Sequence, residues 1–266
     1  MALMMGDAPF GRNSSGTFNF DTGVLQAHTL YFEDCPKRVR ALFGGEAVAD
    51  SRAVKRLHET GLLPTYYFPE EDVRMDLLEK TDHTTHCPFK GDASYWAIKS
   101  GDRVAENVVW GYPEPLESSP PLAGYVAFYW DAMDAWMEED EEVFAHPHDP
   151  YHRVDVLNSS RHVKVTVNGE VVAETDHPKL VFETSLPTRY YIPQEDVRTD
   201  LLVETDTKTE CPYKGIASYF SVRTGGDLAE DVAWSYPEPL PESEKLPGTL
   251  CFFGEGVETE VDGEKL

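Results

Sequence analysis

The sequence predicts a mainly β protein built from two tandem homologous domains, each a small antiparallel β-barrel or sandwich with a short helix, joined by an acidic helical linker. Three observations carry this prediction. Residues 38–128 reappear without a gap 124 positions later as 162–252, and about 43 of the 91 aligned pairs are identical. Within each copy, short runs rich in valine, threonine and aromatic residues are broken every few positions by glycine or proline, which is the pattern of many short strands. The chain of 266 residues then divides into two parts of roughly 110 residues, an ordinary domain size.

Taken in order, residues 1–19 are rich in glycine, serine and asparagine and read as a flexible N-terminal segment. Residues 20–130 form the first repeat, 131–148 the acidic bridge, and 149–262 the second repeat. Each copy opens with a hairpin. In the second, Val163, Val165 and Val167 alternate with polar residues, Asn168-Gly169 supplies a positive-φ turn, and 170–175 returns; Gly44-Gly45 takes the turn in the first. A short helix is expected over 51–59, with Ser51 as N-cap and Gly61 past its end, although Pro178 shortens its counterpart in copy two. Strands are expected over 65–68, 93–99, 107–112 and 122–128. Between the copies, Met133, Trp136 and Met137 are spaced to share one face of a helix over 132–142.

With 48 acidic against 23 basic residues the formal charge is −25, which repels nucleic-acid phosphates and anionic membranes. No run resembles a signal-peptide core or reaches the length of a membrane span. Of four cysteines, only Cys87 and Cys211 correspond between copies, too few for a disulfide framework. A cytoplasmic protein with reduced thiols is expected, either a monomer that is its own pseudo-dimer or a homodimer.

Residues kept in both copies serve something both share, fold or site. The charged ones are Asp72/Asp196, Arg74/Arg198, Asp76/Asp200 and Lys90/Lys214; the aromatic ones are Tyr67/Tyr191, Tyr95/Tyr219, Trp110/Trp234 and Tyr112/Tyr236. An arginine fork and a lysine against aromatic walls suit an anionic ligand. The same residues suit internal ion pairs that pin loops to a sheet. Cys87 and Cys211 sit in Cys-Pro-x-Lys-Gly, where a nearby ammonium would favour a reactive thiolate and burial would give an inert one. Lys90, Lys214, Cys87 and Cys211 are therefore the catalytic candidates. The run from Asp82 to Cys87 offers His83 and His86 as metal ligands, but copy two has Thr207 and Glu210 there and neither copy has a Cys-x-x-Cys, so no metal is expected. His146, His148, His152 and His162 read as solvated or hydrogen-bonded side chains at the junction. Phosphate-loop, dinucleotide, nucleophile-elbow and zinc-protease motifs do not occur.

The blocks Tyr-Tyr-x-Pro-x-Glu-Asp-Val-Arg at 66–74 and 190–198, and Thr-x-Cys-Pro-x-Lys-Gly at 85–91 and 209–215, continued by Trp110 to Pro115, resemble the family called domain of unknown function 427. The resemblance implies a small, mostly β domain whose motif residues line one side, and the family has carried a nucleotidyltransferase-like label. It points to Tyr67, Arg74, Lys90, Trp110 and Tyr112 as ligand-binding residues, with Tyr191, Arg198, Lys214, Trp234 and Tyr236 as equivalents. Metal-dependent nucleotidyl transfer uses clustered carboxylates, and no Asp-x-Asp pair occurs. The expected function is binding of an anionic or polar small molecule in one or both repeats, with an enzyme of accessory or secondary metabolism as one form of it. The alternative is a structural or protein-interaction module without catalysis; the cofactor is unknown.

Overall fold

The computed structural model describes residues 3–14, 16–21 and 28–266, and divides into two compact units, Met1–Tyr151 and His152–Leu266. Unit 1 contains eleven strands among its described residues: β1 (Leu30–Asp34), β2 (Val39–Phe43), β3 (Glu46–Ser51), β4 (Lys55–Glu59), β5 (Thr65–Pro69), β6 (Leu78–Cys87), β7 (Gly91–Ser100), β8 (Arg103–Gly111), β9 (Tyr125–Phe128), β10 (Ala135–Glu138) and β11 (Glu141–Val143). Unit 2 repeats them as β12 (Val154–Asn158), β13 (Val163–Val167), β14 (Glu170–Thr175), β15 (Lys179–Glu183), β16 (Arg189–Pro193), β17 (Leu202–Cys211), β18 (Gly215–Thr224), β19 (Asp227–Ser235), β20 (Thr249–Phe252), β21 (Val257–Val261) and β22 (Glu264–Lys265).

Each unit has a seven-stranded sheet and a four-stranded sheet. Their orders are β1-β4-β5-β9-β8-β7-β6 with β11-β10-β2-β3, and β12-β15-β16-β20-β19-β18-β17 with β14-β13-β21-β22. The pairings between these strands are antiparallel, and neither large sheet closes on itself, so each unit is an open sandwich and not a barrel. The two-residue period of a strand divides the large sheet's side chains between its faces. Tyr66, Phe68, Val126 and Phe128 pack with β2 and β3 in the core between the sheets. Tyr67 and Ala127 point the other way and join Leu57, Tyr95, Tyr112 and Leu122 in a second cluster. Unit 2 repeats the division, with Ile192 and Leu250 on one face and Tyr191 and Cys251 on the other.

The hairpin turns form as the sequence predicts, with positive φ at Gly44, Gly45, Asn168 and Gly169. Two expected helices do not. Residues 55–59 are strand β4, flanked by β1 and β5, because pairing on both sides, with 56–59 all buried, outweighs the weak local preference of a nine-residue helix. The acidic bridge is likewise the hairpin β10–β11, whose first strand pairs with β2 through Trp136 opposite Ala41. Glu139 adopts positive φ at its turn, as Asp262 and Gly263 do in the matching β21–β22 turn. Pairing satisfies the backbone groups at the edge of β2, and it buries Trp136 against the core, which an acidic helix standing clear of the sheet would not do. The stretch belongs to unit 1. Helical structure among the described residues is limited to 3₁₀ turns such as Glu70–Asp72 and Met75–Leu77. No helix is long and apolar enough to cross a membrane. The N-terminal segment, expected to be flexible, is over 3–14 a run of turns that buries Met4 and Ala8.

The family-like motifs are mostly explained by this fold. Asp72 accepts a hydrogen bond from Ser51 Oγ at 2.5 Å, and Asp196 one from Thr175 Oγ1 at 2.6 Å. The backbone amides of Arg74 and Arg198 donate to Val48 and Val172, so Glu-Asp-Val-Arg fastens the large sheet to the small one. The Lys-Gly turn is held by the Pro-Glu-Pro loop: Leu116 N donates to Lys90 O at 3.0 Å, and Leu240 N to Lys214 O at 3.2 Å. Gly215 has φ +93, and a Cβ there would lie 3.2 Å from Glu238 O. Gly215→Ala is therefore expected to destabilise unit 2 by about 1–3 kcal/mol, measured by chemical denaturation; an unchanged midpoint would contradict this account of the turn.

Candidate functional site

Lys90 and Lys214 lie at the tips of the β6–β7 and β17–β18 hairpins, where Cys87 pairs with Gly91 and Cys211 with Gly215. Each lysine is only 8% exposed. Lys90 Nζ donates to Glu59 Oε2, at the end of β4, and Lys214 Nζ to Glu183 Oε2, at the end of β15. The other carboxylate oxygen meets a histidine: His28 Nε2 is 3.0 Å from Glu59 Oε1, and His152 Nε2 is 3.1 Å from Glu183 Oε1. The histidine ring stacks on the aromatic residue preceding the lysine, His28 on Phe89 with centroids 3.7 Å apart and His152 on Tyr213 at 4.0 Å.

Both copies therefore hold the same buried His–Glu–Lys triad. The next residue in each holds the histidine's segment in place. Thr60 Oγ1 accepts from Thr29 N at 2.9 Å, and Thr184 Oγ1 from Arg153 N at 3.0 Å. Burial raises the pKa of Glu183, but the His152 hydrogen bond and the Lys214 charge more than offset it, so the carboxyl stays below its ordinary value and is ionised at neutral pH. A carboxylate only accepts, so His152 Nε2 carries a proton and donates it to Glu183, which leaves Nδ1 as the ring's other nitrogen. That Nδ1 is buried with no hydrogen-bond partner, and its side chain is 1% exposed.

Around the triads stand most of the aromatic candidates. Tyr67 and Tyr191 are almost fully buried, and burial pushes both phenols far above their ordinary value, leaving them neutral donors. Trp234 Nε1 donates to Tyr191 Oη at 3.0 Å. Tyr112 lies with its ring 5.7 Å from Lys90 Nζ, and Tyr236 belongs to the same cluster as Tyr191 and Tyr213. Trp110, Cys87 and Cys211 pack at the edges of these clusters. A shallow hollow of about 260 Å³ in unit 2 opens beside Glu183, between Arg153, Phe182 and Leu186.

The arginines are not part of this arrangement. Arg74 and Arg198 are about half exposed, 51% and 52%, and each clasps the carboxylate two residues on, Asp76 or Asp200, through two hydrogen bonds of 2.7–2.9 Å. Exposed pairs of this kind contribute little, so Arg74→Ala and Arg198→Ala are expected to leave the denaturation midpoints nearly unchanged. In the run from Asp82 to Cys87, His83 packs edge-on against Tyr95 while His86 pairs with Asp92, so these histidines take separate partners. Among the described residues no cluster of His, Cys, Asp or Glu is arranged to hold a metal ion. All four cysteines are free. The junction histidines are engaged differently from one another: His148 bonds Glu138, His152 belongs to the triad, and His162 lies between Glu174 and Asp176 on the surface.

Sequence reasoning found the lysines and missed their partners. Glu59/Glu183 and Thr60/Thr184 are identical pairs within the repeat and were available as signals; His28 and His152 share the 124-residue offset but lie upstream of the gapless match.

The fold and site define a duplicated open β-sandwich protein with one buried triad per unit. The chain belongs to the family described as Domain of unknown function (DUF427), whose model matches residues 31–139 and again 155–263. Each match begins three residues after the triad histidine and runs through the β10 or β21 strand. No curated protein matches the chain.

Proposed function

We propose that the protein binds a polar small molecule at the His–Glu–Lys triad of one or both units, and that the histidine is placed to accept a proton from it. The observation that carries this reading is the preservation of an identical buried triad in two copies that differ at about half of their aligned positions. The lysine charge is matched by the glutamate, so the site favours a neutral or weakly charged ligand with a hydroxyl or amine donor over a strong anion. The bare Nδ1 of His152 is the acceptor such a donor would satisfy, and Glu183 fixes the tautomer as a carboxylate does in other histidine-based acid–base sites. Catalysis, in this reading, is proton transfer at the histidine, with Lys214 and Lys90 holding the carboxylate and Cys211 and Cys87 as neighbouring candidates for a nucleophile. The four free cysteines and the acidic surface support a cytoplasmic protein with small-molecule rather than nucleic-acid or membrane partners.

The depth of the ion pairs supports a second reading, in which the triads are internal braces and the units only structural. A thermal-shift screen against polyols, amines and hydroxy acids separates the two. Stabilisation by a compound in the native protein, lost in His28→Ala and His152→Ala without loss of fold, supports the ligand site. Failure of every compound, with both variants merely less stable, leaves the brace.

A further inference from the structure

Unit 2 contains a hollow of about 390 Å³ whose lining includes none of the three triad residues, between the β19–β20 seam and the β17–β18 hairpin. It is lined by Thr199, Leu202, Glu204, Phe220, Ser235 and Leu250, among others. Its volume lies within the range of small-molecule sites, roughly 300–1,000 Å³. Its origin is visible by comparison with unit 1.

At the position of Ser235, unit 1 has Gly111, where a Cβ would lie 2.8 Å from Tyr125 O and 3.2 Å from Val126 Cγ1. Glycine there lets β8 and β9 pair over three positions, ending with Gly111 opposite Val126. Serine cannot approach so closely, and β19 and β20 pair over only two positions, ending at Trp234 opposite Cys251. The seam is open by one residue pair. At the positions of Phe220 and Thr199, unit 1 has Trp96 and Met75, both packed against its core, with Trp96 Cζ3 3.7 Å from the place of a Gly111 Cβ. Unit 2 has smaller side chains in both places.

Unit 1 also shows what chemistry fills such a space. Lys80, opposite Trp96 across the β6–β7 ladder, holds its ammonium 5.9 Å from the indole centroid. In unit 2 the residue opposite Phe220 is Glu204, exposed and without a hydrogen-bond or ion-pair partner among the described residues. Where unit 1 supplies a bicyclic ring and a cation from its own chain, unit 2 supplies a hollow of mixed polar and apolar lining and an anion.

We propose that this hollow is a binding site for an arylalkylamine cation, its ring seated between Phe220, Leu202 and Leu250 and its ammonium against Glu204. The ring takes the space that the larger Trp96 and Met75 fill in unit 1, and the ammonium lies over an aromatic face beside a carboxylate. The chain's net charge of −25 raises the local concentration of such cations. The hollow shares no residue with the triad itself, although Tyr236, which packs with the triad's aromatic neighbours, is part of its lining.

Titration of the full chain with tryptamine, followed by calorimetry and by chemical-shift changes at Phe220 and Ser235, tests the proposal. Saturable binding is expected with Kd below about 1 mM, at least tenfold weaker for indole-3-propionate, which carries the opposite charge on a similar skeleton. Phe220→Trp with Thr199→Met restores the unit 1 residues and should abolish binding, and Ser235→Gly should weaken it by re-closing the seam. Glu204→Gln should remove the preference for amine over carboxylate. The three variants borrow side chains that unit 1 tolerates or alter an exposed residue, and a retained melting transition shows that each is folded. Lack of saturation with tryptamine, binding undiminished in the refilled variant, or equal binding of the propionate each overturns the proposal. Binding that survives here but is lost in His152→Ala would assign the amine to the triad instead and overturns it too.

Discussion

Glu183→Ala is expected to destabilise unit 2 by about 3–5 kcal/mol, because it leaves the Lys214 ammonium buried without its carboxylate and deprives His152 of the acceptor that orients it. Lys214 has nowhere to go: its backbone is fastened to the Pro-Glu-Pro loop and its side chain is almost wholly covered. The matching change, Glu59→Ala, is expected to act on unit 1 by a similar amount through Lys90 and His28. Hydrogen exchange resolved by unit would show protection lost in the unit that carries the substitution and kept in the other, since two domains need not unfold as one. The double change Glu183→Leu with Lys214→Met distinguishes a broken pair from lost packing. It should recover most of the loss, because replacing both members of a buried pair by apolar groups is close to neutral. A single-variant loss under about 1 kcal/mol would mean that the pair is solvated as a surface pair is, and the geometry of the triad would have to be revised.

The second large effect belongs to unit 1 alone. Glu138, at the end of β10, is 5% exposed and is met by Lys37, by Tyr66 Oη, and by His148 Nδ1 at 2.9 Å. Burial opposes its charge, but the hydrogen bonds from His148, Lys37 and Tyr66 prevail and hold the pKa at about 2. A carboxyl whose pKa is depressed on folding stabilises the fold above its unfolded value, near 4.3, and loses that contribution as pH falls toward the folded value. The shift corresponds to about 3 kcal/mol, present at neutral pH and lost progressively between about pH 4.3 and 2. Unit 1 is therefore expected to unfold steeply in that window, and Glu138→Gln should flatten its pH dependence while lowering its stability at pH 7. Denaturant titrations at a series of pH values, read by exchange within unit 1, would show it. A variant with the same slope as the native protein would place the acid sensitivity elsewhere. Unit 2 has Val261 in the equivalent position, opposite Val163 as Glu138 is opposite Val39, and lacks this cluster.

The duplication, the β class, the glycine turns and the importance of Lys90 and Lys214 were legible in the sequence, because each depends on residues near one another in the chain or on a constant offset between copies. A glycine pair between alternating valines states its turn locally. The two helices that became strands were not legible. Residues 55–59 and 132–142 have compositions compatible with either state, and the choice was made by sheet edges that needed partners, contributed from distant parts of the chain. The role of the charged motif residues was likewise settled by distance in space. Arg74 and Lys90 look alike as conserved cations within a repeat, yet one clasps its neighbour in solvent while the other crosses to Glu59, 31 residues away, under the face of the sheet. By itself the sequence determined that two equivalent β units exist and which side chains they hold in common. Only the tertiary structure decided which of those side chains meet, since a buried charge is paired by whatever the packed strands bring within hydrogen-bond reach, and a pattern along the chain carries no record of that approach.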